Sequence, residues 1–507
     1  MKEKILKSAL VIGVLTVLGK VIGFFRTIII AYIFGADSTM DAYNLANGFV
    51  LNVLYALSTA IALAFLPSYI EKKVNRGKKA VEDFSSKSLT VMSIFAIILS
   101  VAVFIGAPFL AQIIAPGFTG KQLEEVAFYL RILTIGMIFS LLASMLKSIL
   151  DAERIYGYGA FSGIVYSVIT IVFVVVFHVS WGVMSLIIAV PVAYFLQFVF
   201  LGFRTRKCVK IRPIFDIHDR DVVNLLKAAL PVLLSNTTVE INQLVDRMLA
   251  SGTTEGAVSA LSYSANLSDL VVSIFSASLI TVFFTEFSNE AVKGNIEAIK
   301  KALRQGISVI VLLLLPISVI TIMFGEDIVR IVYFRGAFNE KALSLTTIAI
   351  ILYAACWIAI NIERLVTKAF LAFGDTKLPM VISILSVIVN IVFSILCVQF
   401  IGFAGIILGT VIAEIVSVGL NMFFLHQKIG ALRLGDMKIK LAKMLLAAIV
   451  TGMVLMGMQV VLIDFSAFVR FVSATIVGLV VYSIMLMILR CEEIQWVIRM
   501  VKKKIKK

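Results

Sequence analysis

The sequence is poor in the residues on which enzymes and cross-linked proteins depend. Its four cysteines, Cys208, Cys356, Cys397 and Cys491, have neither a metal-ligand spacing nor the arrangement of a disulfide framework. Its three histidines, His178, His218 and His426, sit at the ends of apolar runs or in a polar loop. There is no Walker phosphate loop, no HExxH zinc motif, no GxSxG nucleophile elbow and no dinucleotide fingerprint. The short segments 35–40, 177–181, 253–257 and 400–402 contain no lysine or arginine, and none is long enough for a catalytic domain. These absences exclude a nucleotide-driven pump and disfavour a membrane glycosyltransferase or polymerase. No cleavable leader is expected either, because the first apolar run is too long for a signal segment and no small-residue cleavage site follows it.

What the chain has in excess is apolar length. Of its 507 residues 61% are hydrophobic, and the mean hydropathy is +1.05. The excess falls into about fourteen runs long enough to cross about 30 Å of hydrocarbon: roughly 8–34, 41–69, 86–114, 126–150, 156–179, 181–203, 223–252, 258–288, 303–325, 342–373, 378–400, 402–426, 440–463 and 466–490. The expected fold is an all-α integral membrane protein. The net charge of +16 is placed by topology. Lysines and arginines gather before the first run, at 72–87, at 204–220, at 293–304, at 428–440 and in the tail, and all of these lie on one side if the spans alternate. Segment 326–341 is the exception, and there Glu326, Asp327 and Glu340 accompany Arg330, Arg335 and Lys341. This is the positive-inside pattern, so both termini are expected in the cytoplasm of a multi-pass cell-membrane protein. Anionic lipid accounts for the basic excess, with no need for nucleic acid.

The runs repeat. Ala115-Pro116-Gly117-Phe118 recurs about 220 residues later as Arg335-Gly336-Ala337-Phe338, and Tyr43 recurs as Tyr263. Gly182 pairs with Gly405 at nearly the same offset. The organisation read from this is a six-helix lobe at 1–204, a cytoplasmic linker at 205–222 and a second six-helix lobe at 223–427. Two further helices follow at 428–490, then a basic amphipathic tail at 491–507 on the membrane surface. Two parallel repeats of this kind are the plan of a transporter with its site near the bilayer midplane.

Candidate site residues are the polar groups deep in these runs. Lys20 and Arg26 lie in the first, and each costs about 2.5–3.5 kcal/mol at a helix centre on insertion scales. Their repeat positions carry Glu240 and Asp246. A bend at Gly23 would turn both cations toward one cavity. Three accounts stand: a cationic site for a phosphate-bearing substrate, a buried ion pair with Glu240 or Asp246, or snorkelling of the side chains to the interface. The seventh run carries Asn236, Glu240, Gln243 and Arg247 as a polar stripe with Asn242 and Asp246 beside it. Asp246 with Asn390 and Thr410 would make an oxygen-ligand set for Na⁺, or Asp246 would take a proton. Ordinary interhelical hydrogen bonding, with Ser394 one turn from Asn390, is the alternative. Asn266, Asp269, Glu363 and Arg364 are further cavity candidates, Lys147 and Lys368 read as membrane anchors, and Glu414 has no assigned role.

Gly19-Lys-Val-Ile-Gly-Phe-Phe-Arg26, Asp41-Ala-Tyr43, Ala64-Phe-Leu-Pro67, Ala115-Pro-Gly-Phe118, Tyr333-Phe-Arg-Gly-Ala-Phe338 and Ala369-Phe-Leu-Ala-Phe-Gly-Asp-Thr-Lys-Leu-Pro379 together resemble the signatures of the MurJ (MviN-type) lipid II flippases, within the multidrug/oligosaccharidyl-lipid/polysaccharide exporter superfamily. The resemblance covers essentially the whole chain. It implies two six-helix lobes around a cationic cavity, alternating access that moves an undecaprenyl-linked peptidoglycan precursor outward, and a groove for the lipid tail on the last two helices. The chain departs from the family pattern in three places. Lys20 stands where arginine is usual, Leu51-Asn-Val-Leu54 stands where the second helix usually has arginine, and Asn266 stands where the eighth does.

The reading is therefore a flippase for lipid II and not an enzyme, with Lys20, Arg26, Asn266, Glu240 and Arg364 toward the substrate. No cofactor is expected, and Na⁺ or H⁺ is the coupling ion. Its partners are the precursor lipid and anionic membrane lipid, with no nucleic acid. It is expected to act as a monomer, alongside cell-wall synthesis proteins. Two alternatives are a flippase for another polyprenyl-linked polysaccharide unit and a cation-coupled multidrug exporter. The basic first helix favours an anionic substrate.

Overall fold

A computed structural model describes residues 2–432 and 435–491, without the side chains of 2–12, 234–236, 238–239, 275–278 and 436. The tail expected at 491–507 lies outside the described residues from 492 onward, as do the side chains of Lys2, Lys4, Lys7 and Asn236.

Among the described residues every element is a helix: α1 (Lys2–Phe34), α2 (Ser38–Asn75), α3 (Gly77–Ile114), α4 (Lys121–Ala152), α5 (Tyr156–Trp181), α6 (Met184–Thr205), α7 (Arg220–Ser251), α8 (Ala257–Val292), α9 (Ile296–Val332), α10 (Glu340–Ala372), α11 (Lys377–Ile401), α12 (Phe403–Ile429), α13 (Gly435–Val461) and α14 (Ala467–Ile488). Thirteen of them, all but α7, contain a described stretch long and apolar enough to cross a membrane. Several helices outrun the apolar runs that foretold them. At 38 residues, α2 spans about 57 Å, nearly twice the hydrocarbon thickness. Helix α1 runs as one helix through Gly23. Asp37, Asp219, Asn295 and Ser466 cap α2, α7, α9 and α14 with side-chain oxygens.

The chain forms two compact units, 1–259 with 336–339, and 260–335 with 340–507. In the first, α4 lies against α2, α3 and α6, α6 lies against α5, and α5 against α1. In the second, α10 lies against α9 and α12, α12 against α11, and the α13–α14 pair against α9. The duplication is visible in this pattern: α3–α4, α4–α6 and α5–α6 recur as α9–α10, α10–α12 and α11–α12. Two points differ from the sequence reading. Helix α7, grouped by sequence with the second lobe, packs along α2 and α3 and belongs to the first unit. Nothing local encodes this, because it depends on which helix face meets α2. The repeat partner of Gly182 is Gly402 and not Gly405: the two end α5 and α11 at φ +53° and +58°, a left-handed turn that glycine adopts without strain. Gly405 instead packs so closely on the backbone of Cys397 and Val398 that a Cβ would overlap it.

Buried apolar side chains fill each unit. Phe65 of α2 stacks on Phe84 of α3 at 5.2 Å, and Phe287, Leu303, Leu365, Phe370 and Leu425 form a core in the second unit. Helix α9 leaves helical geometry at Phe324. At that break the Met323 carbonyl accepts from Gln459 of α13, and Asp327 accepts from Arg470 Nε of α14 at 2.9 Å, so α13 and α14 hold α9 where it is broken.

Candidate functional site

One end of the first unit is closed by its turns. Asp41, buried in the first turn of α2, accepts from the backbone amides of Gly256 at 2.7 Å and Ser259 at 2.8 Å and from the Ser259 hydroxyl at 2.6 Å. It thus caps the N-terminus of α8, where free amides and the helix dipole favour a carboxylate. Asn44 donates to the same hydroxyl at 3.0 Å. Two repeat-related turns complete this end. Gly117 fits against Ser251 and Gly252 with no room for a Cβ and donates its amide to Ser251 Oγ at 3.2 Å. Gly336 fits in the same way against Tyr32, and the Ala337 amide bonds the Tyr32 carbonyl at 2.8 Å. The turn of the first copy therefore rests on the end of α7, and that of the second copy on the end of α1.

Below these turns lies the cation of α1. The Arg26 guanidinium sits over the ring of Tyr166 on α5, 4.9 Å from its centroid. Tyr166 lies 4.7 Å from Tyr194 of α6, whose hydroxyl reaches Tyr166 and Ser140, and Tyr43 of α2 faces the same charge. Among the described residues no carboxylate pairs with Arg26, so the ion pair with Asp246 or Glu240 is not what holds it. A ring face attracts a cation without neutralising it. This leaves the guanidinium able to take an anion in a bidentate manner. Lys20, six residues earlier, is exposed.

The acidic face of α7 is in the same unit. Asp246 is buried, and Glu240 is half-buried, its backbone carbonyl accepting from Asn52 at 3.1 Å. Asn52 is part of the Leu51–Leu54 segment that lacks the usual arginine. Arg247 lies on Gly48 of α2, where any side chain would displace it.

The remaining candidates lie in the second unit. Asn266 is exposed and donates to Ser262 of its own helix at 2.7 Å. Arg364 is exposed on α10, with Glu363 on the same helix and Glu414 on α12 within electrostatic reach. Asn390 and Thr410 are brought together, amide to hydroxyl at 2.9 Å, and Ser394 donates to the Ile406 carbonyl at 3.1 Å. These bonds join α11 to α12. The two anchors differ: Lys147 packs on Gly159, and Lys368 lies over Phe284 at 5.3 Å. The tyrosine cluster was missed because tyrosines within apolar runs read as core. Asp41 was seen only as part of a motif.

A family model described as lipid II flippase MurJ matches residues 30–477. The chain is 31% identical over 421 residues to the probable lipid II flippase MurJ of Rickettsia prowazekii, covering 82% of each chain. It is 26% identical over 436 residues to that of Buchnera aphidicola subsp. Schizaphis graminum, covering 84% of each. Among solved structures it resembles a lipid II flippase MurJ in an inward closed conformation, with a TM-score of 0.80 at 21% identity over 94% of this chain and 98% of that one. It also resembles an inward-facing multidrug transporter of the MATE family, with a TM-score of 0.72 at 14% identity over 84% of this chain and 99% of that one.

Proposed function

Because the chain belongs to the lipid II flippase family MurJ, we propose that it carries lipid II, the undecaprenyl-diphosphate-linked peptidoglycan precursor, from the inner to the outer leaflet of the cytoplasmic membrane by alternating access. It is a transporter and not an enzyme. Both termini face the cytoplasm in this reading, as the distribution of lysine and arginine requires. The observation that carries the reading is Arg26, a cation deep in α1 that is held by the ring of Tyr166 and by no carboxylate among the described residues. A guanidinium so placed is suited to a diphosphate, with Lys20 as a second point charge. Glu240, in the same unit as Arg26, is a further polar group offered to the head group. Coupling is assigned to Na⁺ or H⁺ acting at Asp246, a carboxylate buried in α7.

Depletion of the protein in a cell that depends on it tests the substrate. Lipid II should accumulate in the inner leaflet. Accumulation of a different polyprenyl-linked precursor, with lipid II unchanged, would transfer the assignment to that lipid.

A further inference from the structure

The segment joining α6 to α7 is fastened to α3 by its backbone. The amides of Lys210, Arg212 and Ile214 donate to Glu82 at 3.4 Å, Ser86 at 3.0 Å and Thr90 at 3.0 Å. Alternate residues of an extended chain thus meet acceptors one helical turn apart. Behind this strap the structure has a cavity of about 360 Å³ between α3, α4 and α6, within the usual size of small-molecule sites. Its walls are apolar: Leu89, Leu142, Leu146, Phe198 and Val199. Its polar edge has Thr90 and Ser93 with two arginines, Arg206 and Arg212.

The charges around this cavity are unevenly matched. The nearby acids of the strap, Asp216 and Asp219, are both taken by Lys87, at 3.3 and 2.7 Å. Arg206 and Arg212 are exposed and have no carboxylate partner among the described residues. Phe203 of the lining is 67% exposed, and Phe215 of the strap is 63% exposed. The cavity's lining reaches the last turn of α6 at Gly202 and Phe203 and continues past the helix end at Thr205 to Arg206. That is the side the charge pattern assigns to the cytoplasm, at the level of lipid head groups.

We propose that this cavity is a binding site for an anionic phospholipid of the inner leaflet, with an acyl chain against the apolar walls and the phosphate on Arg206 and Arg212. An apolar slot ending in two unmatched guanidiniums fits an anionic amphiphile, and a zwitterionic lipid brings to those arginines an ammonium that they repel. The site is separate from Arg26 and does not rest on the transported substrate being lipid II.

The test uses the full-length protein in nanodiscs with phosphatidylglycerol bearing a diazirine on its acyl chain, and the matching phosphatidylcholine as control. Cross-links should fall on α4 near Leu142–Leu146 and on α6 near Phe198–Phe203, with phosphatidylglycerol well ahead. Removing each arginine, in R206Q and R212Q, should cut this labelling about fivefold. Leu146→Trp, which fills the slot and leaves both arginines, should abolish it. Equal labelling by the two lipids, or full labelling of the R206Q/R212Q double variant, would overturn the proposal. So would displacement of the probe by undecaprenyl diphosphate at a lower concentration than by phosphatidylglycerol, which would give the cavity to the substrate.

Discussion

Asp41 takes both the backbone amide and the hydroxyl of Ser259, so a side chain of the first copy forms the missing first turn of a helix that begins the second copy's equivalent of α2. Asp41→Ala leaves three buried donors without their acceptor, a loss of about 1–3 kcal/mol. Asp41→Asn keeps one acceptor and should lose less, and Ser259→Ala should fall between wild type and Asp41→Ala. Thermal unfolding in detergent reads the series. An Asp41→Ala melting point equal to wild type would show that the cap adds nothing to stability.

Arg26→Ala should lower lipid II flipping in proteoliposomes about 10- to 100-fold, the range expected from losing a charge-assisted contact of 1.5–3 kcal/mol. The amount of protein in the membrane should not change, because no carboxylate is left unpaired. Arg26→Lys should keep part of the activity. Normal transport by Arg26→Ala would remove this residue from the diphosphate site.

Asp246→Asn should slow flipping and remove its dependence on imposed Na⁺ or proton gradients. The reading requires wild-type flipping to respond to one of those gradients. Indifference to both would leave Asp246 a structural residue of α7.

Loop 253–257 is expected outside the cell. A single cysteine at Thr254, which is exposed, in a chain with its four native cysteines replaced, should react with an impermeant maleimide in intact cells. Reaction only after lysis would invert the topology.

Asp219, which caps α7, should make stability depend on acid pH. Burial alone would raise its pKa. The hydrogen bond from Lys87 and the Asp221 and Val222 amides outweigh burial and hold the carboxyl below its ordinary value of 3.8. A carboxyl depressed on folding contributes stability that is present above its unfolded pKa and lost as pH falls through its folded pKa. Asp219→Asn should therefore melt lower than wild type at pH 7, and the gap should close below about pH 4. A gap independent of pH would assign the loss to shape and not to charge.

The helices were legible because membrane spans declare themselves by length. The duplication was legible because turn motifs such as those at 115–118 and 335–338 recur at a fixed offset of about 220 residues. The cationic character of α1 was legible because charge in an apolar run is conspicuous. The partner of Arg26 was not: the repeat offset pointed to Asp246, whereas the structure supplies Tyr166, an aromatic residue indistinguishable in sequence from its apolar neighbours. The allegiance of α7 was hidden for a related reason. Gly48, where Arg247 rests, looks like any small residue until a partner helix is laid on it.

The strap between α6 and α7 also bears on mutational tolerance. It is attached through N–H groups, which every residue but proline carries. Positions 210, 212 and 214 can therefore change side chain freely as far as attachment is concerned, provided proline is avoided. The one proline in this stretch, Pro213, stands at an alternate position whose amide is not used. The acceptors have no such latitude, because Glu82, Ser86 and Thr90 each offer a side-chain oxygen that an apolar replacement would remove. Drift among related chains should thus be lopsided here, broad along the strap and narrow along the facing stripe of α3.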